Sequence, residues 1–449
     1  MTLAQLIPSL RTSLPHPIES WLWPTSTHHL PAGDLSIGGV SLMALVNEHG
    51  TACQVFDIGE FRDRAAQYRR AYGDGDVSYA GKALLTRAVC QWVEQAGLRL
   101  DVCTAGELHV ALSAGFPPHR IALHGNAKPA DLLSTAISAG VGRIIVDSLD
   151  EIELLSTLAC DQGHQKVLLR VIPGVDAHTH PAITTGIEGQ KFGLSVEDGS
   201  LTEAVARLLA TPHLELVGLH CHLGSQIASV EPYLAAATAM VDQLVRIHND
   251  FGITLAELNL GGGFAIAYHS GDMPLDVSNT ASRIRHTVRS ACQQRSFAMP
   301  RLAVEPGRSV AGPAGVTVYR VLTVKHSAGR RWVMVDGGMA DNPRPTLYGA
   351  RYTARLLGRL SGAHDEHMTV AGQHCEAGDV LIADALLPDD IHRGDLLIIP
   401  ATGAYHHAMS SNYNHVPRPP IIGVDSGASR TLIRRETFAD LTVREVAPL

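Results

Sequence analysis

The chain has 449 residues, 45% of them hydrophobic and 18% charged, with a formal net charge of −8. That length suits two or three domains. The acidic balance, with no Lys/Arg-rich run, argues against a nucleic-acid partner. No apolar run approaches the roughly 18 residues of a membrane helix. Residues 1–30 lack a charged start followed by an apolar core, so no signal peptide is expected. Seven cysteines are scattered without a CxxC pair, which excludes a zinc ribbon or a disulfide framework and points to a reducing cytoplasm.

In chain order, residues 1–40 carry no usable pattern. Residues 35–60 are strand-like and precede a regular rhythm that runs from about residue 77 to 308. There a short apolar run is followed by a helical pattern and then a Gly or Pro break. The strand-like runs are "VSYAGK", "LRLDVCT", "RIALHG", "RIIVDS", "KVLLRVIPG", "LVGLHCHLGS", "ELNLGGG" and "RLAVEPGR". The first is expected to lead into a helix from Ala83. Amphipathic stretches such as "LLTRAVCQWVEQAG" and "KPADLLSTAISAG" lie between the runs. Alternating strands and helices imply a parallel sheet, and eight of them imply a (β/α)8 TIM barrel. A doubly wound open sheet is the competitor, but no GxGxxG follows the first strand.

One connection is too long for a βα turn: "VDAHTHPAITTGIEGQKFG" after the fifth strand. After residue 315 the texture becomes short alternating runs with Gly/Asp turns ("VTVYRVLTV", "RRWVMVDGG", "DVLIADALL", "DLLIIPA"), the pattern of an all-β domain. The expected organisation is therefore a barrel over 61–312 and a C-terminal β-sandwich or β-barrel domain over 313–449. Residues 1–60 are expected to contribute to the β domain.

Active sites of such barrels lie at the C-terminal ends of the strands. Those ends carry Lys82, then His124 and Asn126, then Asp147 and Ser148, then His220, His222, Gly224 and Ser225, then Gly261, Gly262 and Gly263, and finally Glu305, Gly307 and Arg308. Each has a bland reading. A strand-end lysine can simply reach water. Paired histidines, as in "HCH" or "HTH" at His178–His180, lack a third zinc ligand, so no metal is expected. "GGG" also serves turns. Cys375, in "HCEAGD", reads on its own as a core cysteine, the commoner fate of that residue.

The combination is stronger. Barrels bind phosphate with the loops after strands seven and eight, where "GGG" and "EPGR" lie, and bare N–H groups approach phosphate closely. Lys82 is one of five lysines, flanked in sequence by small and apolar residues. A desolvated lysine is an imine-forming amine. Phosphate plus imine leaves a pyridoxal 5′-phosphate (PLP) enzyme or a Schiff-base aldolase. Glu305 favours PLP, because a carboxylate keeps the pyridine nitrogen protonated and the ring electron-accepting.

The chain resembles the fold-type III PLP-dependent decarboxylases, and among them the actinobacterial diaminopimelate decarboxylases, from about residue 40 to the C-terminus. The motifs are "YAGKA", "LDVCTAGEL", "HGNAK", "THPAITTGIEGQKFGLS", "HCHLGSQI", "NLGGGFAIAY", "EPGR", "VDGGMADNPRPTLYGA", "HCEAGD" and "TGAYHHAMSSNYN". The resemblance implies that Lys82 forms the imine with PLP, His222 stacks on the ring and Glu305 pairs with its nitrogen. It implies that Gly263, Ser225, Gly307 and Arg308 serve the phosphate side. It assigns the substrate to Arg308, Arg344, Tyr348, Glu376 and Tyr405, with Tyr405 also touching the cofactor. Cys375 is implied as the proton donor to Cα. It further implies a head-to-tail homodimer in which the "CE" pair enters the other subunit's site. Two carboxylate-binding arginines fit a diacid substrate. The expected reaction is decarboxylation of meso-2,6-diaminopimelate to L-lysine. Decarboxylation of ornithine, arginine, lysine or a carboxylated polyamine is the alternative, and a catalytically silent regulator a more distant one. "CQVFDIGEF" and Pro343 depart from the family pattern without removing a catalytic group.

Overall fold

The computed structural model describes residues 17–160, 164–177 and 185–446. "HTH" at 178–180 and the adjoining part of the long loop lie outside the described residues. The chain divides into two compact units: Arg62–Ala265 with Pro274–Val310, and Met1–Phe61 with Ile266–Met273 and Ala311–Leu449.

The first unit is a closed barrel of eight parallel strands: β1 (Asp76–Ala80), β2 (Arg99–Val102), β3 (Ile121–Leu123), β4 (Arg143–Val146), β5 (Gln165–Arg170), β6 (Leu214–His220), β7 (Glu257–Asn259) and β8 (Arg301–Val304). Each pairs with its neighbours in sequence, and β8 closes on β1 through Ala303–Asp76 and Val304–Val77. Strands covered on both faces need near-continuous apolar runs. Accordingly Tyr79, Leu100, Leu123, Ile144, Val146, Val167, Leu169, Leu219 and Leu258 are wholly buried.

The helices start where side-chain oxygens satisfy free backbone N–H groups. Thr86 caps Arg87–Gln95, Thr104 caps Ala105–Ser113, Ser148 caps Leu149–Ala159 and Asp276 caps Val277–Gln294. The helix expected from Ala83 begins later, at Arg87. A 3-10 turn, Gly81–Ala83, carries Lys82 instead. The cause is Thr86, whose hydroxyl accepts from Val89 N at 3.1 Å and fixes the start there.

The other unit is built on a branched nine-stranded sheet. Its longest strand, Gly315–Ser327, pairs with Cys53–Asp57 and Leu396–Pro400 along its first half and with Arg330–Val335 along its second. Cys53–Asp57 also pairs with Ile421–Asp425, so the segment before the barrel is part of the sheet. Residues 266–273, assigned to the barrel on sequence grounds, belong to this unit. Ile266, Ala267 and Tyr268 are buried in its core beside Val316, Val318 and Leu397.

Candidate active site

The C-terminal end of the barrel gathers most of the strand-end residues singled out in the sequence. The turn after β7, Gly261–Gly263, has no room for side chains. A Cβ on Gly261 would lie 2.5 Å from Cys221 O, on Gly262 2.2 Å from Glu305 O, and on Gly263 2.4 Å from Gly224 O. Gly261 and Gly263 have φ of 69° and 97°, a region that favours glycine. Asn259 ties this turn to Glu305: its Oδ1 accepts from Gly261 N at 2.9 Å and its Nδ2 donates to Glu305 Oε1 at 2.7 Å. Gly307 closes against β1, since a Cβ there would be 2.9 Å from that of Ala80. Arg308 is buried and donates to Ser225 Oγ at 2.7 Å, joining the ends of β8 and β6.

His222 follows β6 and accepts Gly262 N–H at Nδ1, 3.1 Å away. Burial and the charges of Lys82 and Arg170 hold its pKa well below the usual value. The ring is therefore neutral, with its proton on Nε2. Lys82 is exposed at the barrel mouth, and its charge is felt by His222, Cys103 and Glu107. Glu305 is buried. Burial opposes its charge, but His124 and His220 outweigh this and hold its carboxyl well below the carboxylate range. Their Nε2 atoms each lie 3.2 Å from Oε1. Two groups that the strand-end reading passed over complete this neighbourhood: Asn259 and Asp101, the latter 3.7 Å from His124.

The last residues of the long loop, Phe192 and Gly193, are anchored to the barrel. Gly193 N donates to Asp147 Oδ2 at 2.9 Å, and Arg170 stacks over Phe192 at 4.3 Å.

The remaining expected residues lie in the other unit. Arg344, in the short helix Arg344–Tyr348, is buried, stacks on Tyr268 at 4.4 Å and donates to Tyr352 Oη, which meets His406 Nε2 at 3.0 Å. Burial opposes its charge, but Tyr268, Tyr352 and Tyr405 raise its pKa, so it stays a cation. Tyr348 and Tyr405 are half-buried, and Tyr405 has a left-handed φ of 62°. Cys375 and Glu376 are exposed on a turn. Asp379 fixes that turn by accepting from His374 N (2.8 Å) and Met339 N (2.6 Å), and Asn414 Oδ1 accepts from Cys375 N at 3.2 Å.

The barrel end has the chemistry a pyridoxal phosphate needs: a cradle of N–H groups without side chains for the phosphate, a lysine for the aldehyde and a buried carboxylate for the ring nitrogen. The pyridoxal-binding domain of the pyridoxal-dependent decarboxylases matches residues 46–312. Diaminopimelate decarboxylase of Actinosynnema pretiosum subsp. auranticum is 50% identical over 99% of this chain and 100% of its own. The chain belongs to the diaminopimelate decarboxylases. The enzyme of that name from Mycobacterium bovis is 45% identical over 95% of this chain and 98% of its own. Diaminopimelate decarboxylase of M. jannaschii superposes with a TM-score of 0.88 at 30% identity, covering 95% of this chain and 98% of that one. A second structure of it contains L-lysine. As a diaminopimelate decarboxylase, the chain is a PLP-dependent carboxy-lyase. Among the described residues, no helix is long and apolar enough to cross a membrane.

Proposed function

We propose that the chain converts meso-2,6-diaminopimelate to L-lysine and CO2, the last step of lysine biosynthesis, as a cytoplasmic head-to-tail homodimer. The observation that carries this reading is the convergence of Lys82, the Gly261–Gly263 turn and Glu305 at one barrel end in a chain half identical to a diaminopimelate decarboxylase.

Bound PLP supplies an electron sink for the pair left when the Cα–carboxylate bond breaks. Lys82 would hold the aldehyde carbon. Gly263, Gly307 and Ser225, with Arg308 behind Ser225, would hold the phosphate. His222, neutral and fixed through Gly262, would stack on the ring without adding a charge that competes with Glu305. Glu305, ionised, would accept a hydrogen bond from the ring nitrogen and so keep that nitrogen protonated. Cys375 Sγ gives a proton to Cα after CO2 leaves.

Arg308, Arg344, Tyr348, Glu376 and Tyr405 bind the substrate's polar groups. Arg344 suits a carboxylate, because its aromatic seat and Tyr352 hold the guanidinium in one orientation. The exposure of Cys375 and Glu376 on a turn braced by Asp379 supports their donation to the partner subunit's site.

The test is CO2 release by the PLP-loaded protein from meso-diaminopimelate, lysine, ornithine and arginine. Strong preference for diaminopimelate is expected; preference for a monocarboxylate would overturn the assignment. Cys375→Ala is expected to lower turnover by about 10²–10⁴-fold with PLP affinity unchanged. Wild-type turnover would remove the thiol as donor.

A further inference from the structure

Binding a ring nitrogen requires one carboxylate, yet Glu305 sits inside a larger buried cluster. Its Oε1 is approached by Asn259 Nδ2 at 2.7 Å and by His124 Nε2 and His220 Nε2 at 3.2 Å each. Its Oε2 is approached by His220 Nε2 at 3.3 Å. His124 Nε2 also faces Asp101 Oδ1 at 3.7 Å. This nitrogen is buried and makes no hydrogen bond to either carboxylate, so its contacts with them are electrostatic. The His124 and His220 rings meet edge-on, with centroids 5.1 Å apart.

Two carboxylates buried this close would repel, and one would take a proton. A cation between them allows both to ionise. His124 is the group placed to be that cation. Burial opposes its charge, but Glu305 and Asp101 together push its pKa up to about 9. His220, held down to about 4 mainly by burial, remains neutral. Zinc is the competing occupant, since His124, His220 and Glu305 offer ligand atoms within 4.8 Å of one another. The Asn259 amide speaks against it, because its N–H points at the oxygen both histidines share.

We propose that His124 is a positioning residue: bridging Asp101 and Glu305, it keeps the Glu305 carboxylate ionised and turned so that Oε2 faces the cofactor ring nitrogen. This rests on the assignment of Glu305 to that nitrogen. The role follows from β2, β3, β6 and β8 converging on one carboxylate.

The test is a double-mutant cycle on PLP binding to the apo-protein, read from the visible band of the lysine-bound cofactor. His124→Gln keeps a donor of similar reach and removes the charge. It is expected to weaken PLP binding roughly tenfold, the equivalent of one pKa unit at Glu305. Glu305→Gln is expected to weaken it at least as much. The double variant should bind like Glu305→Gln alone, because His124 acts through that carboxylate. A general packing role would instead multiply the two losses and overturn the proposal, as would wild-type affinity in His124→Gln. If His124→Gln does not fold, His124→Asn takes its place in the same cycle. Wild-type binding by Glu305→Gln would overturn the underlying assignment of Glu305. Tight Zn2+ binding by the apo-protein that His124→Gln abolishes would also overturn the proposal, in favour of a metal site.

Discussion

The two ends of the barrel are both polar, but they are polar in opposite ways. At the N-terminal end the charges pair closely. Glu257, at the start of β7, accepts a two-point contact from Arg143 at the start of β4 (2.6 and 3.0 Å) and a further bond from Arg301 at the start of β8 (2.5 Å). Asp76 adds contacts to Arg301 at 3.5 Å and Arg99 at 3.8 Å. At the C-terminal end, Asp101, His124, His220 and Glu305 crowd together with longer contacts and strongly shifted proton affinities. An arrangement that only had to be stable would resemble the first. The second keeps charge in a state that bound groups can use, which is where perturbed titration marks function.

This contrast can be broken most forcefully at Lys82. Lys82→Ala is expected to abolish the visible band of bound PLP and to lower turnover by about 10³-fold or more, while leaving the thermal midpoint of the apo-protein close to wild type. A persistent band would place the imine on another lysine. A smaller effect is expected at the glycine turn. Gly262→Ala sets a methyl 2.2 Å from Glu305 O, so the turn must shift, at a cost of about 1–3 kcal/mol. PLP titration should show weakening by roughly ten- to a hundredfold; unchanged affinity would show that this turn does not hold the phosphate.

The smallest effect on catalysis belongs to the opposite end. Glu257→Gln is expected to cost about 1–3 kcal/mol of stability in chemical denaturation without changing turnover of the folded enzyme. A turnover defect at unchanged stability would erase the distinction between the ends. Acid sharpens it further. Burial opposes the charge of Glu257, but Arg143 and Arg301 hold its carboxyl below the usual range. A depressed folded-state value means that its contribution is full above the unfolded value of about 4.3 and is lost as pH falls through the folded value. Denaturation of wild type should therefore lose more stability on acidification in that window than Glu257→Gln does; parallel losses would contradict it.

Much of this was legible in the sequence, for local reasons. The β/α rhythm gives the strand ends directly, so Lys82, Gly261–Gly263, Glu305 and Arg308 fall on the mouth of the barrel before any coordinates are known. The "HCEAGD" and "RPTLY" motifs were recognisable but not interpretable by periodicity, since their setting depends on Met339, Asn414 and Tyr268 far away in sequence. Asp101 left a signal that strand counting overlooks: a lone carboxylate inside the apolar run "LRLDVCT", where an unpaired charge is costly. Its pairing with His124, and that of His124 with Glu305, depends on closure of the barrel, which no local pattern encodes. Residues 266–273 were misassigned because "FAIAY" continues the glycine turn without a break, although Ile266, Ala267 and Tyr268 bury themselves in the core of the other unit.

The chain has five lysines, and a second one, Lys128, is also near the strand ends. It is fully buried and committed to Glu151 Oε1 at 2.6 Å and to two backbone carbonyls, Gly125 O and Ile145 O. The most direct measurement is therefore borohydride reduction of the PLP-loaded protein, followed by peptide mass mapping. The account predicts the pyridoxyl phosphate adduct on the peptide carrying Lys82; an adduct on Lys128, or on any other lysine, would contradict it.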